Sequence, residues 1–250
     1  MKFQLCSDLH LEYPINRRWL ANHPLEVVGD VLLIAGDTYY LNEDASALDF
    51  LKWCSDHFQE TYLIPGNHEY YGGYDFSNAS RSYKRSVFEN VHYVNNQTVH
   101  FGDVRVLFST LWSRLSEHAD IIEKGMADFH RIKYGGRRLT VHAYNNAFQV
   151  DLDFLKEAME EKGKTIVVTH HLPSIQCNDA EFKDSPFNEA FCVDLTDLIE
   201  ASSVDYWIYG HSHRNVGDID LNGTQLLSNQ MGYVSLNEHH SFNRAKVIEL

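Results

Sequence analysis

The chain has 250 residues, of which 44% are apolar and 22% charged. That is the balance of a globular protein with an ample core, and it excludes disordered, collagenous and coiled-coil classes. Twenty-one Lys and Arg against 35 Asp and Glu give a formal charge of −14, a field that repels polyanions and lacks the basic footprint of a nucleic-acid binder. Apolar runs such as residues 31–35 fall far short of the roughly 18 residues that a membrane span needs. The N-terminal run ends at Ser7-Asp8, too short for a signal-peptide core. Four cysteines (Cys6, Cys54, Cys177 and Cys192) have no paired spacing, which argues against a disulfide framework. A cytoplasmic protein with no membrane and no nucleic-acid partner is expected.

No repeat, low-complexity tract or Pro/Gly/Ser-rich linker divides the sequence, so a single domain over residues 1–250 is expected. Residues 2–6 read as a strand, and residues 30–35 as a second, apolar nearly throughout and so buried on both faces. Residues 42–58 carry Leu48, Leu51 and Phe58 at helical spacing, with Asn42 or Asp44 as the cap. Residues 61–64 form a third strand, stopped by Pro65-Gly66. Strands alternating with helices predict parallel βαβ units. Residues 91–94, 98–101 and 104–109 read as a meander that turns at Gly102-Asp103. Residues 112–160 read as mostly helical, interrupted at Gly135-Gly136. Strands follow at 164–169 and 205–209, on either side of a helix at 194–201. A hairpin of 216–221 and 224–228 turns at Asn222-Gly223, a strong signal between apolar runs, and a strand at 246–250 closes the chain.

Five of these strands are followed at once by residues of metal-ligand type: Asp8-Leu9-His10, Gly36-Asp37, Gly66-Asn67-His68-Glu69, His170-His171 and Gly210-His211-Ser212-His213. Ligands of open α/β sheets bind beyond the carboxyl ends of the strands. Each motif alone is commonplace, but five in one chain at strand ends are not. None offers a thiolate, which excludes a Cys-rich structural zinc site. Imidazoles mixed with carboxylate and amide oxygens suit Zn, Fe or Mn without choosing between them. Seven donors are too many for one tetrahedral ion and suit two ions that share a bridging carboxylate. Two metals about 3.5–4 Å apart can hold a phosphoryl group, activate a water and neutralise charge on the attacking and leaving oxygens.

In order, these elements resemble the signature of the calcineurin-like metallophosphoesterases: Asp-x-His, Gly-Asp, Gly-Asn-His-(Asp/Glu), His and Gly-His-x-His. The match runs from Asp8 to His213. The resemblance implies an α/β sandwich of two packed mixed β-sheets flanked by helices, with a binuclear site at one edge. By analogy Asp8, His10 and His213 hold one divalent ion (Mn²⁺, Fe²⁺/Fe³⁺ or Zn²⁺), Asn67, His170 and His211 hold the other, and Asp37 bridges them. His68 then stays off the metals and protonates the leaving group or stabilises its charge. Glu69 either tunes that imidazole or is a structural carboxylate. His170 is the ligand of its pair, and His171 points the other way if strand alternation persists, in a hydrogen-bonding support role. A narrower likeness to a bacterial branch of this length covers Thr110-Leu111-Trp112, the run from Met126 to Ile132, and the run from Thr169 to Ser174. That branch commonly has Asn-Pro-x-Gly-Tyr where this chain has Asn229-Gln230-Met231-Gly232-Tyr233; losing the proline alters turn rigidity, not the metals.

The expected activity is hydrolysis of a small phosphate mono- or diester, with hydroxide held at the metals attacking phosphorus in line. Candidates for contact with the substrate are Asn67, Arg131 and His171, and residues 112–150 form a possible helical cap over the site. Arg131 fits either a phosphate contact, through its guanidinium fork, or a surface pair with Asp128. Arg137 and Arg138 belong to a solvated loop, and Arg214 either approaches the site or is turned away by strand alternation. Tyr70, Tyr71 and Tyr74 either line a wall for an aromatic leaving group or pack. The rival functions are a protein phosphatase, a nuclease and a non-catalytic scaffold of the same fold. The absence of a long Lys/Arg cluster counts against the nuclease, and the retention of Asp37 and His68 counts against the scaffold. The sequence does not specify an oligomeric state.

Overall fold

The computed structural model describes residues 1–250. The first half of the chain builds a sheet from β1 (Lys2–Cys6), β2 (Val31–Ile34), β3 (Glu60–Leu63), β4 (Tyr83–Phe88) and β5 (Val91–Asn95). The second sheet contains β6 (Gln97–Phe101), β7 (Val104–Phe108), β10 (Lys164–Val168), β11 (Tyr206–Tyr209), β12 (Ile219–Leu221) and β13 (Thr224–Ser228). The last strand, β14 (Val247–Glu249), returns to the first sheet, whose order is β14-β1-β2-β3-β5-β4. The second sheet runs β12-β13-β11-β10-β7-β6. In both, four central strands are parallel and the two edges are antiparallel. Two-residue strands β8 (Lys133–Tyr134) and β9 (Arg137–Arg138) form a separate small hairpin.

Strand alternation sorts the side chains into layers. Phe3 and Leu5, Val31 and Leu33, and Tyr62 turn inward to meet Val104, Val106 and Phe108, Ile166 and Val168, Ile208 and Leu227, all in one buried cluster between the sheets. Their outward neighbours, among them Leu32, Ile34, Leu107, Val167 and Trp207, pack in a second cluster with helical residues. The helices are α1 (Pro14–Asn22), α2 (Asp49–His57), α3 (Ala119–Gly125), α4 (Ala127–Arg131), α5 (Val141–Met159) and α6 (Thr196–Glu200). Strands covered on both faces must be apolar on both, which is why β2 reads Val-Leu-Leu-Ile and is buried throughout.

The expected meander is split. β5 belongs to the first sheet and β6–β7 to the second, and the chain crosses at Asn96, which has φ +48°. Asn95 and Asn96 are buried there and span the crossing through hydrogen bonds: Asn95 donates to Ala79 O, and Asn96 Nδ2 to Asp151 Oδ1 on α5. Periodicity tells which face of a strand is buried, not which sheet it joins. The expected helix at 42–58 begins at Asp49; Asp44 instead caps a single 3₁₀ turn by accepting from the Ser46 amide. The stretch 112–160 holds two short helices, the β8–β9 hairpin turning at Gly135-Gly136, and then the long α5. Helix α1 and edge strand β4 were not expected from the sequence. Asn222 and Gly223 have φ of +51° and +97°, the left-handed pair that the Asn-Gly hairpin turn requires.

Phe108 is fully buried between the sheets and stacks on Tyr62 with ring centroids 5.3 Å apart. Phe108→Ala is expected to lower the unfolding free energy in urea by about 3–5 kcal/mol. Val247→Ala on the edge strand should change it by no more than about 0.5 kcal/mol. Equal effects would contradict the layer assignment.

Candidate metal centre

The loops that follow the parallel strands of both sheets meet at one edge. β1 delivers Asp8 and His10, β2 Asp37, β3 Asn67 and His68, β10 His170, and β11 His211 and His213. Asp8, His10, Asp37, His211 and His213 all adopt left-handed backbone, with φ between +48° and +77°. Such conformations cost on the order of 1–3 kcal/mol each in non-glycine residues and concentrate at functional sites. The close approach of the loops also fixes glycines: a Cβ on Gly210 would stand 2.6 Å from Asp8 Oδ2, and one on Gly66 would collide with Asp37 Oδ1 and the His170 ring. The Gly-Asn-His and Gly-His-x-His motifs thus need their glycines for space.

Three groups of side chains have ligand atoms close enough to hold a metal ion, Asp8–His10–Asp37–His213, Asp37–His170–His211 and His10–Glu12–His68, and Asp37 is common to the first two. In the first, His10 Nε2 lies 2.8 Å from His213 Nε2 and 3.6 Å from Asp37 Oδ2, and His213 Nε2 lies 3.6 Å from Asp8 Oδ1. In the second, His170 Nε2 lies 3.1 Å from His211 Nδ1, 3.4 Å from Asp37 Oδ1 and 3.2 Å from Asn67 Oδ1.

Hydrogen bonds on the far side of each ring decide which nitrogen faces inward. His10 Nδ1 meets Glu12 Oε1 at 3.1 Å, His213 Nδ1 meets Glu238 Oε2 at 2.8 Å, and His170 Nδ1 meets the Ala35 carbonyl at 2.9 Å. A neutral imidazole has one N–H and one lone pair. With the Nδ1 protons donated outward, His10 and His213 turn two Nε2 lone pairs toward each other. Asn67 is oriented likewise: its Nδ2 donates to Asp128 Oδ1 at 2.9 Å, leaving Oδ1 to face His170. Lone pairs facing lone pairs repel, and a cation among them removes the conflict. The residues therefore fit metal ions, and the outward hydrogen bonds are the support that metal-binding histidines need.

Electrostatics agree. Burial pushes the Asp8 carboxyl up to about 6, against the pull of His213 and of its bonds from Ser7 and the His211 amide. Burial, then the Glu69 and Asp8 carboxylates, hold Asp37 well above the usual range. Burial, then neighbouring imidazoles, bring His10 down to about 3 and His170 and His211 well below their ordinary value. Burial favours protonated Glu12, yet its bonds from His10 and His68 outweigh that and take it to about 2. Neutral imidazoles beside carboxylates whose charge is penalised by burial are a donor set that a divalent cation stabilises.

His68 belongs to the third group, with His10 and Glu12, and stands beside the two that share Asp37. Its amide donates to Asp37 Oδ1 at 2.9 Å, its Nδ1 meets Glu12 Oε1 at 2.8 Å, and its Nε2 faces the Tyr233 hydroxyl at 3.3 Å. Glu69 is a structural carboxylate that accepts from the amides of Asp37, Thr38 and Gly66. A cleft of about 470 Å³ opens over the centre, walled by Tyr13, Tyr71, Tyr233, Arg131, Phe182 and Phe187 among others.

His171 does not face this cleft. It is fully buried behind the centre, near Trp112 and with Nε2 3.3 Å from the Tyr144 hydroxyl. Its ring is packed between Trp112 and His211, which closes it off from a substrate. Arg131 lines the cleft and does not pair with Asp128, whose Oδ1 accepts from Asn67 and Tyr71. Arg214 also lines the cleft and lies 3.5 Å from Glu238. Of the three tyrosines only Tyr71 reaches it; Tyr70 is core, against Trp112, and Tyr74 opens onto another surface. Arg137 and Arg138 are exposed on β9.

Several supporting residues escaped the sequence. Glu12 had a signal, since it follows His10 by two residues. Asp128 lies within the Met126–Ile132 run but carried no hint of its partner. Tyr233 ends the Asn229–Tyr233 stretch but carried no hint of its place beside His68, and Glu238 and the cleft wall between 178 and 191 stand in stretches with no periodicity.

Residues 1–215 match the family model for calcineurin-like phosphoesterases, and the chain belongs to that family. It is 28% identical to a protein designated "Uncharacterized protein L509" from Acanthamoeba polyphaga mimivirus, over 98% of this chain and 95% of that one. Among solved structures it is similar to the phosphopantetheinyl hydrolase PptH from Mycobacterium tuberculosis, with a TM-score of 0.68 at 15% identity over 99% of this chain and 95% of the other. That likeness shows the shared fold, two mixed sheets flanked by helices. Family and site together make this a metal-dependent phosphoesterase.

Outward support of a ligand is measurable. Glu238→Ala, which leaves His213 Nδ1 without its acceptor, is expected to weaken Mn²⁺ or Zn²⁺ binding about 10–100-fold in chelator competition. Unchanged affinity would contradict the role given to Glu238.

Proposed function

We propose that the protein hydrolyses a small phosphate ester at a centre of two divalent ions that share Asp37. The observation that carries this reading is that two of the three metal-competent groups share Asp37, and that Asp37 and His68 lie together under one cleft. Asp8, His10, Asp37 and His213 would hold one ion, and Asp37, Asn67, His170 and His211 the other. When bound, ions such as Mn²⁺, iron or Zn²⁺ would polarise the phosphoryl oxygens and lower the pKa of a water toward 7.

The chain's own residues do the rest. Glu12 fixes His68 through Nδ1, so that Nε2 points toward the cleft and can give a proton to the departing alcohol oxygen. The aromatic walls exclude water around the ester. Arg131 and Arg214 are the only Lys or Arg residues lining the cleft, too few for a polynucleotide track and suited to a small anion. Met126, Ala127 and Arg131 line the cleft, which supports a cap role for residues 112–150. Four buried free thiols fit a cytoplasmic setting.

Phosphate release from p-nitrophenyl phosphate and bis(p-nitrophenyl) phosphate, with and without Mn²⁺, tests the reading. Turnover should vanish on chelation, return with metal, disappear in Asp37→Ala and fall by about 10²–10⁴-fold in His68→Ala. A fully metallated wild type inert on a broad phosphoester panel would favour a non-catalytic scaffold.

A further inference from the structure

Building on this phosphoesterase reading, we propose that the leaving group of the substrate carries a second oxyanion, and that Arg131 is its receptor. Arg131 ends α4 and lines the cleft. Its partners are tyrosines: the Tyr40 hydroxyl at 3.4 Å from Nη2 and the Tyr71 ring with its centroid 4.3 Å from the guanidinium carbon, with Tyr13 lining the same cleft. No carboxylate neutralises it, in a chain with 35 acidic residues against 21 basic ones. The cleft's other arginine, Arg214, is by contrast already near Glu238. A hydroxyl and a ring face orient a guanidinium without cancelling its charge, and most of its five N–H groups stay free for a ligand.

Position decides which part of the substrate it reads. The Tyr71 ring lies against His68, with centroids 4.2 Å apart, and also carries Arg131. The guanidinium is therefore one ring removed from the imidazole that protonates the departing oxygen. Tyr71 and Arg131 belong to none of the metal-competent groups. Tyr71 is also held in place, because its hydroxyl donates to Asp128 Oδ1, the atom that accepts from Asn67. An anion bound at Arg131 thus lies beyond His68, on the departing alcohol. A cleft of about 470 Å³ is within the range of small-molecule sites, with room for a phosphoryl group and such an alcohol. The reaction is ordinary hydrolysis: water gives its oxygen and one proton to the phosphoryl group, the bond to the leaving oxygen breaks, the His68 proton goes to that oxygen, water's other proton restores His68 through solvent, and the second anion is unchanged.

The test uses two esters with phenols of similar acidity, phenyl phosphate and 3-(phosphonomethyl)phenyl phosphate, and the methyl diester of each, on Mn²⁺-loaded protein. Wild type should favour the phosphonomethyl ester by about tenfold or more in kcat/KM, the scale of one charge-assisted contact. In Arg131→Met that ratio should collapse toward one, and Arg131→Lys should keep part of it. Calorimetry with 3-(phosphonomethyl)phenol should give binding at least about tenfold weaker in Arg131→Met than in wild type. A wild-type ratio near one, or a preference that survives in Arg131→Met, overturns the assignment and leaves the phosphoesterase reading standing. Failure to turn over any of the four esters overturns both.

Discussion

Ligand atoms that repel one another are held at short range here. The two Nε2 lone pairs of His10 and His213 face each other at 2.8 Å, and His170 faces an amide oxygen and a carboxylate. Carboxylates held outside the centre direct this arrangement. Glu12 and Glu238 take the outward protons of His10 and His213, and Asp128 turns the Asn67 amide. Five ligands reach their positions on left-handed backbone, a strain of order 1–3 kcal/mol each. A centre assembled against its own electrostatics is stabilised by what binds it, since any ligand that prefers the folded state adds to stability by mass action.

The sandwich explains how residues two hundred positions apart meet. Both sheets have four parallel central strands, so the carboxyl ends of β1, β2 and β3 and those of β10 and β11 gather at one edge. The apolar layer from Phe3 to Leu227 presses the sheets together and sets the distance between the ligands of the first sheet and those of the second. The edge strands close each sheet without adding ligands. The same convergence leaves one cleft above the Asp and His side chains, with His68 and the tyrosines on its wall.

Much of this was legible because the informative residues interrupt regular patterns. Short apolar runs marked the parallel strands, and a polar residue at the end of each marked the ligands. The pairing of sheets was less visible: a strand's alternation is the same whichever sheet it enters, so β5 and β6 looked like one meander although Asn96 carries the chain across. Helix α1 was hidden by its polar sequence, with only Asn16 and Leu20 buried, and β4 by the exposed Lys84 and Arg85 of an edge. The carboxylates that orient the ligands could not be paired with them, because a hydrogen bond between Asn67 and Asp128 leaves no trace in spacing.

Anomalous diffraction from crystals grown with Mn²⁺ addresses the shared bridge most directly. The account predicts two manganese peaks about 3.5–4 Å apart, with the Asp37 carboxylate between them, one flanked by His10 and His213 and the other by His170 and His211. A single peak, or two peaks that do not share Asp37, would contradict it.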